Sequence, residues 1–262
     1  MAQEKLKIVQ KGPVLHIQLS REDVHNAFDA DLIRELTEAF EGVGVSKETR
    51  VVVLSGKGKN FCAGADINWM KNTMDFSEAE NEKDAFNLHK MLETIYHCPK
   101  PTIAAAKGVA FGGGVGLIAC VDVAICATSS IFSLSEVRLG ILPAVISPFV
   151  IRKIGVSGLR AFGLSAKRLS AEEALRINLV QEVVSEQELD QVVLRWVDEF
   201  LQNGPQAMAM LKELSEYVFS ASLEKAAEKT VKTIAKARVT KEGQEGLRAF
   251  LEKRTPSFRV QK

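Results

Sequence analysis

The sequence has few cysteines, and none of them stands in a metal-binding or disulfide-type pattern. No Cys-x-x-Cys pair occurs among the four cysteines of the 262 residues, and the four histidines show no metal-ligand spacing. These absences exclude the common zinc modules and a disulfide framework, and they predict reduced core cysteines and no metal site. The residues concerned are Cys62, Cys98, Cys120 and Cys126, with His16, His25, His89 and His97.

Long apolar runs and an excess of charge of one sign are also missing. No apolar stretch approaches the roughly 20 residues of a membrane-spanning helix. The first residues have neither the apolar core of a secretory signal nor the Arg-rich composition of a transit peptide. The formal net charge is +1, and the C-terminal part holds no dense basic cluster, which argues against nucleic acid or an anionic membrane as a partner. We therefore expect a cytoplasmic protein.

The run of three glycines at 112–114 is the most informative stretch that is present. The small apolar residues Ile103 to Ala106 before it predict a buried strand, and the apolar residues after it predict a helix. Glycines at such a junction let a ligand approach the main-chain N–H groups, and the helix start adds a partial positive charge. The stretch therefore predicts a site for an anion or an oxyanion, with close packing of two segments as the alternative.

Two familiar nucleotide-binding motifs do not fit this stretch. No Gly-Lys-Ser or Gly-Lys-Thr follows the glycines, which excludes a P-loop. Gly114 to Ala119 matches the loose dinucleotide-binding pattern, but only Leu117 to Val121 separate it from a predicted strand that begins at Val123. A parallel crossover normally needs a dozen or more residues, so this interpretation fails as well.

Predicted strands and helices alternate through most of the chain, beginning with a β-hairpin of Leu6 to Gln10 and Val14 to Leu19 around the turn Lys11-Gly12-Pro13. This alternation indicates an α/β core over residues 1–201. From about Gln202 the pattern is helical throughout, which predicts a separate helical region over residues 202–262. Such a region has no strands of its own to pack on, so a partner subunit is one candidate for its neighbour.

Capping residues predict where several core helices begin and end. Ser77 starts a capping box ahead of a helix that reaches about Tyr96. Ser147 is expected to cap a helix that Gly155 ends, and Ser185 is expected to cap a later one.

Five motifs, in their order and spacing, resemble those of the enoyl-CoA hydratase/isomerase (crotonase) superfamily. They are Asn26-Ala27-Phe28, Phe61-Cys62-Ala63-Gly64-Ala65-Asp66-Ile67, Gly108 to Gly114, Glu136 to Leu142, and Phe250 to Arg254. The resemblance covers nearly the whole chain. It implies an α/β crotonase spiral of β-β-α units followed by an all-helical C-terminal region that builds trimers, commonly paired into hexamers. It also implies an acyl-CoA thioester substrate and no cofactor besides that CoA.

The resemblance implies an oxyanion hole made of two backbone N–H groups, those of Ala63 and Gly113. Addition to a thioester, or proton loss beside it, places negative charge on the carbonyl oxygen, and preorganised backbone donors stabilise that charge.

Further substrate contacts are implied at two places. Phe250 and Lys253 match positions that in relatives touch the CoA nucleotide, often across a subunit boundary. Asp66 is implied beside the CoA arm, and a helix N-cap is the alternative for this residue. The full set implied along the CoA arm is Gly64, Ala65, Asp66 and Ile67.

Glu136 matches one of the two catalytic glutamates of the hydratases. It lies in a mostly apolar segment, Phe132 to Val137, where a carboxyl group can have a raised pKa and act as acid and base near neutrality. For Glu136 considered without the other motifs, the alternative is a surface ion pair with Arg138. In register with the oxyanion motifs, we expect Glu136 to carry the acid–base chemistry.

Gly116 is where the chain departs from the family pattern. Two-glutamate hydratases have a carboxylate at this substrate-facing position, three residues after the second oxyanion glycine. Three accounts follow: a hydratase in which Glu136 activates water and returns the proton, a Δ3,Δ2-enoyl-CoA isomerase with one shuttling base, and a non-catalytic acyl-CoA-binding or scaffold protein. We expect the first.

The segment Ser133 to Phe149 bears on the substrate. It resembles the same segment in hydratases of branched, carboxylated substrates of the 3-methylglutaconyl-CoA and carboxygeranoyl-CoA type. Those relatives commonly pair it with Gly-Gly-Val-Gly, which this chain has at residues 113–116. A second carboxylate on the substrate would then meet Arg138 or Ser147.

Overall fold

The computed structural model describes residues 4–260, which form two β-sheets with helices around and after them. The strands are β1 (Leu6–Lys11), β2 (Val14–Leu19), β3 (Val51–Gly56), β4 (Thr102–Ala106), β5 (Val109–Phe111), β6 (Val123–Ala127), β7 (Ile131–Ser133), β8 (Leu169–Ser170) and β9 (Glu182–Val184). The α-helices are α1 (Ala30–Val45), α2 (Ile67–Thr73), α3 (Glu78–Tyr96), α4 (Gly113–Cys120), α5 (Ser147–Ser165), α6 (Ala171–Arg176), α7 (Leu189–Leu201), α8 (Pro205–Ser220), α9 (Leu223–Val239) and α10 (Lys241–Leu251). Over this described range, no helix is both long enough and apolar enough to cross a membrane.

The larger sheet has six strands in the order β1-β2-β3-β4-β6-β9. β1 and β2 form the predicted antiparallel hairpin, and every other neighbouring pair is parallel. Parallel strands are usually buried on both faces, and here alternate residues divide between two apolar clusters. Val52 and Leu54 belong to the cluster that includes α1, α3 and α4, whereas Val51 and Val53 belong to the cluster covered by α7.

The smaller sheet has three strands, and the consecutive strands β4 to β7 alternate between the two sheets. Its order is β5-β7-β8, with β5 parallel and β8 antiparallel to β7. The consecutive strands β4 and β5 precede α4, and the consecutive strands β6 and β7 precede α5. In each pair the first strand joins the larger sheet and the second joins the smaller one. This is the β-β-α repeat that the family resemblance implies.

The structure confirms the predicted Ser77 cap and the predicted helix end at Gly155, and it corrects the predicted Ser147 cap. The Ser77 capping box is present, and α3 ends at Tyr96 as expected. Gly155, with φ 73° and ψ 168°, is not helical: it ends the first helical segment of α5 as predicted, and a second segment continues to Ser165. The N-cap residue of α5 is Ile146. The predicted cap, Ser147, instead donates its hydroxyl to the carbonyl of Ala144 at 2.8 Å.

The prediction that Ser185 caps α7 is also wrong. α7 begins at Leu189 with Glu188 as its N-cap residue. The Glu188 carboxylate folds back and accepts a hydrogen bond from the Ser185 hydroxyl at 2.6 Å. The serine therefore orders the turn before the helix and does not satisfy the first helical N–H groups.

The C-terminal helices bury few of their own side chains. α8 has no buried residue, α9 has only Ala226, and α10 has only Ala249. Large apolar side chains of these helices are exposed, including Leu211, Phe219, Leu223, Val231, Val239, Phe250 and Leu251. The predicted helices of this region are present, the last of them ending at Leu251, and the domain boundary at residue 201 stays a prediction.

All four cysteines are buried and unpaired. Burial raises the pKa of every thiol, to about 12 for Cys62 and Cys126. Each thiol is therefore protonated at neutral pH, as expected for core cysteines.

Candidate active site

The candidate site is built around the N-terminus of α4. Gly112, the residue before the helix, has φ 48° and ψ −115°, a conformation that favours glycine. Its N–H donates to the carbonyl of Ser133 at 2.9 Å, and its own carbonyl accepts from Val115 at 2.9 Å. The N–H of Gly113, at the first helical position, has no partner within the helix and adds to the positive end of the helix dipole.

A second loop lies directly against this helix start. Cys62 exchanges backbone hydrogen bonds with β5: its N–H donates to Val109 at 3.1 Å, and its carbonyl accepts from Phe111 at 3.0 Å. Gly64 has φ 92°, and a Cβ added there would lie 2.9 Å from the Phe111 carbonyl oxygen. The bare backbone at this position lets the loop 62–65 run beside the glycines.

The prediction that Ala63 provides an oxyanion donor is corrected by its hydrogen bond. The N–H of Ala63 donates to the carbonyl of His25 at 3.0 Å, so this donor is already engaged. Ala65 differs from it. The bridge between Phe28 and Ala65 uses the groups on either side of Ala65: Phe28 N–H to Gly64 at 2.6 Å and Asp66 N–H to Phe28 at 2.8 Å. Within residues 4–260, the N–H of Ala65 has no acceptor, and the residue is exposed.

Asp66 has the structural role that the sequence left as an alternative. Its carboxylate caps α2 by accepting from the Asn68 N–H at 2.7 Å, and it pairs with Arg21 at 2.8 Å. Burial opposes ionisation, but these hydrogen bonds lower the pKa of Asp66 below its ordinary value. The carboxylate is thus committed to holding the loop, while Ile67 at the start of α2 is exposed. Contact of either residue with a ligand stays a prediction.

Two polar side chains that the sequence analysis missed hold the loop in place. Arg21 pairs with the N-cap residues of two helices, Asp29 at 3.0 Å and Asp66 at 2.8 Å. Asn26, fully buried with φ 58°, donates through its amide to the carbonyls of Lys57 at 3.0 Å and Asn60 at 2.7 Å. Asn26 begins one of the family-like motifs and could have been singled out from it. No local pattern marks Arg21, because its partners lie far along the chain.

Glu136 lies over the first glycine of this arrangement. It begins the short 3-10 helix Glu136–Leu139, and a Cβ added to Gly112 would lie 3.1 Å from its Oε1. Its Oε2 is buried and has no hydrogen-bond partner within residues 4–260. Burial raises the pKa of Glu136 above its ordinary value, against a smaller lowering by its own backbone N–H. An unpartnered carboxyl group of this kind can accept or give a proton next to the glycine backbone.

Gly116 is surrounded by apolar side chains. A Cβ added there would lie 2.6 Å from Cγ2 of Ile146 and 3.6 Å from Cδ2 of Leu92. Ile146 and Leu92 are themselves buried. The place of a second carboxylate is therefore filled by packed hydrocarbon in this chain.

The structure places the remaining predicted residues away from the glycines or at the surface. Arg138 lies two residues after Glu136 and is exposed, and the Ser147 hydroxyl is bonded to a nearby carbonyl. Phe250, 81% exposed, and Lys253 lie at the end of α10, which packs on α8 and α9. Among the residues that the structure describes, no group of three His, Cys, Asp or Glu side chains is arranged to hold a metal ion.

Comparisons with known proteins identify the family of this chain. The chain matches the family model described as enoyl-CoA hydratase/isomerase over residues 10–261. It is similar to the crystal structure of an enoyl-CoA hydratase from Shewanella pealeana, with 39% identity and a TM-score of 0.93, over 97% of this chain and 96% of that chain. It is also similar to Pseudomonas aeruginosa AtuE, with 32% identity and a TM-score of 0.95, over 98% and 100%.

A curated relative extends the likeness to a named dehydratase. Carnitinyl-CoA dehydratase from Salmonella typhi is 30% identical over 273 residues, which cover 98% of this chain and 98% of that protein. The predicted crotonase-type fold is thereby confirmed. The chain belongs to the enoyl-CoA hydratase/isomerase family.

Proposed function

We propose that this protein is an enoyl-CoA hydratase-type enzyme that adds water across the double bond of a 2-enoyl-CoA thioester. The observation that carries the proposal is the carboxyl group of Glu136 beside the N-terminus of α4, whose Oε2 is buried and has no hydrogen-bond partner within residues 4–260. The names of the similar hydratase and dehydratase describe addition or removal of water, which supports the same reaction class.

The backbone around the glycines would bind the reacting carbonyl. We assign the two oxyanion donors to the N–H groups of Ala65 and Gly113, since the N–H of Ala63 is bonded to His25. As water adds to C3 of the enoyl group, negative charge develops on the thioester oxygen, and these two donors stabilise it.

Glu136 would move the proton. Its carboxylate takes a proton from the attacking water as the new C3–O bond forms, and it returns that proton to C2 as the enolate collapses. One carboxylate suffices when both steps occur on the same face of the double bond. The apolar packing of Ile146 and Leu92 around Gly116 supports a single-carboxylate reaction.

A Δ3,Δ2-enoyl-CoA isomerase is the second candidate, because the apolar packing around Gly116 is compatible with that reaction as well. Moving a double bond needs one base to shuttle a proton between two carbons, and the filled position at Gly116 is compatible with that. The two reactions differ in their products, since hydration removes the conjugated enoyl chromophore and isomerisation of a 3-enoyl thioester creates it.

The proposed substrate is branched and carries a second carboxylate, of the 3-methylglutaconyl-CoA type. Arg138 is exposed beside Glu136, and its guanidinium has no hydrogen-bond or ion-pair partner among residues 4–260, which supports its availability for an anionic group. A guanidinium binds a carboxylate through paired N–H donors.

The proposed assembly is a homotrimer or a dimer of trimers. The exposed apolar side chains of α8 to α10 support a subunit contact there, since such residues are seldom left in water as a group. Phe250 and Lys253 would then reach the CoA nucleotide of a neighbouring subunit. Sedimentation of the intact protein would measure the number of subunits.

The test is the loss of enoyl absorbance from crotonyl-CoA and 3-methylglutaconyl-CoA with wild type, Glu136→Gln and Glu48→Gln. Glu48 is an exposed glutamate and serves as the matched control. We expect wild type and Glu48→Gln to hydrate 3-methylglutaconyl-CoA faster than crotonyl-CoA. We expect Glu136→Gln to be at least about 100-fold slower than wild type. No loss of absorbance with either thioester would reject hydration, and a gain with a 3-enoyl-CoA would select the isomerase.

A further inference from the structure

The C-terminal end of α4 carries a positive charge from another helix. The Lys153 ammonium group of α5 donates to the carbonyl of Val121 at 3.0 Å and approaches that of Asp122 at 3.5 Å. Val121 is the C-cap residue that directly follows the last residue of α4, Cys120. The helix whose first N–H groups face the candidate oxyanion therefore has a lysine at its other end.

The other charged groups around this helix end are paired among themselves. The Asp122 carboxylate is held by Lys212 of α8 at 2.7 Å and by the N–H and hydroxyl of Thr102 at 2.8 and 2.9 Å. Next to Lys153 on α5, Arg152 pairs with Glu216 of α8 at 2.8 Å.

Two further titratable groups face this end of the helix. The Tyr96 hydroxyl of α3 donates to Glu216 at 2.6 Å, and Cys120, the last residue of α4, is a neutral thiol whose pKa burial raises. Lys153 thus contributes the positive charge that lies directly beyond the C-terminal end of α4, on the carbonyl of its C-cap residue.

Keeping this charge is unfavourable for stability. Burial lowers the pKa of Lys153 to about 8, although Asp122 and Cys120 act in the opposite direction. A lowered lysine pKa means that the folded state disfavours the charged form relative to the unfolded chain. A buried cation with a perturbed pKa is a candidate for a functional role.

Because α4 is short, a charge at its C-terminal end also changes the electrostatic potential at its N-terminal end. Eight residues span roughly 12 Å, and a helix carries about half a positive charge at its N-terminus and half a negative charge at its C-terminus. Over so short a distance, the negative end partly cancels the positive potential that the N-terminus presents to an anion. A cation on the terminal carbonyls removes that cancellation.

We propose that Lys153 is a positioning residue for the oxyanion: it neutralises the negative end of α4, so that the positive end acts on the thioester oxygen without an opposing field. The inference rests on the proposed role of Gly113. A unit charge about 12 Å away in a medium of effective dielectric about 20 corresponds to a rate factor of roughly 5 to 10.

The first test compares kcat of wild type, Lys153→Met, Lys153→Arg and Lys232→Met between about pH 6 and about pH 10. Lys232 is an exposed lysine and serves as the control. We expect kcat of wild type and the control to fall about 5- to 10-fold as Lys153 loses its proton, around pH 8. Lys153→Arg keeps its charge and shows no fall, whereas Lys153→Met has the lower kcat throughout, with KM unchanged.

Stability separates this role from a purely structural one. Because the pKa of Lys153 is lower in the folded chain, wild type gains stability as pH rises from about 8 toward the ordinary value of 10.5, and Lys153→Met lacks that gain. We expect Lys153→Met to be at least as stable as wild type at neutral pH while being slower. A rate loss that only accompanies unfolding, or an alkaline fall that persists in Lys153→Arg, would overturn the inference.

A binding measurement decides the matter even if the protein hydrates neither thioester. Acetoacetyl-CoA absorbs in the near ultraviolet when it is bound as its enolate, and an oxyanion site raises the enolate fraction. We expect the enolate-to-keto ratio at saturation to be about 5- to 10-fold lower on Lys153→Met than on wild type at neutral pH. Equal ratios on the two proteins would refute the role of Lys153. Should Lys153→Met fail to fold, Lys153→Arg above pH 9 gives the same comparison against wild type.

Discussion

The first turns of α4 have two sides, and the two differ in what other elements place against them. At Gly112 and Gly113 the neighbours are the Glu136 carboxyl group and the ring of Phe28, whereas at Gly116 they are the hydrocarbon of Ile146 and Leu92. The helix itself offers bare backbone on both sides. Its environment, contributed by residues distant in sequence, makes one side fit for proton transfer and leaves the other as packed core.

The largest expected effect comes from removing the bare backbone on the reactive side. In Gly113→Ala the new methyl group would lie 2.5 Å from Cε2 of Phe28, so either the buried Phe28 ring or the first N–H of α4 must shift. Loss of one oxyanion donor typically costs 10²- to 10³-fold in kcat, and we expect a decrease of that order in steady-state hydration. Gly42→Ala, in α1 with open space around it, should leave kcat unchanged. Equal rates for both variants would contradict the assignment of Gly113.

A carboxylate on the apolar side should destabilise the fold. Gly116→Glu forces a side chain into Ile146, and overpacking alone costs about 1–3 kcal/mol. Denaturant unfolding should show this loss, and the double variant Gly116→Glu with Ile146→Gly should recover part of it. If the two substitutions prove additive in the free energy of unfolding, Ile146 does not fill the position as the structure indicates.

The pH dependence of stability and of activity should distinguish Glu136 from ordinary surface carboxylates. Its pKa is raised in the folded state, so wild type loses stability relative to Glu136→Gln as pH rises from the unfolded value toward the folded one. The slope for one proton is at most about 1.4 kcal/mol per pH unit. Hydration should fall as pH drops through the same range, because the base becomes protonated. A flat difference between the two proteins would show that the carboxyl group is not perturbed.

The smallest effect is expected at the rim of the site. Arg138→Gln should raise KM for 3-methylglutaconyl-CoA by about tenfold, in the range of a lost charged hydrogen bond, and should leave crotonyl-CoA unaffected. Initial rates with the two thioesters measure the ratio. An equal change for both would place the second carboxylate elsewhere.

The sequence predicted those parts of the fold that depend on neighbouring residues. The β1–β2 hairpin, the Ser77 capping box and the start of α4 at the glycines are local signals, and the structure confirms them. The helix end at Gly155 is confirmed as well, because a glycine with positive φ interrupts helical geometry locally.

The sequence predicted which segments form the site, but it did not predict which backbone N–H groups are free there. The loop 62–65 and the glycines were both singled out, yet the choice between Ala63 and Ala65 depends on the carbonyl of His25, nearly forty residues earlier. The filling of the space beside Gly116 likewise depends on Ile146, thirty residues later. Contacts of this range carry no local pattern, so only the folded arrangement reveals which N–H is free.

The rate at which the buried thiols react reports how often the structure around them opens locally. Cys120 ends α4, and Cys62 lies in the loop beside its N-terminus, both with raised pKa values and no solvent contact to speak of. An alkylating reagent can reach either sulfur only when that part of the chain opens. The labelling rate at each sulfur, read by peptide mass, therefore reports how often each end of α4 comes apart. A tightly bound acyl-CoA should slow the reaction at Cys62 more than at Cys126, which lies on β6 and not in the loop 62–65.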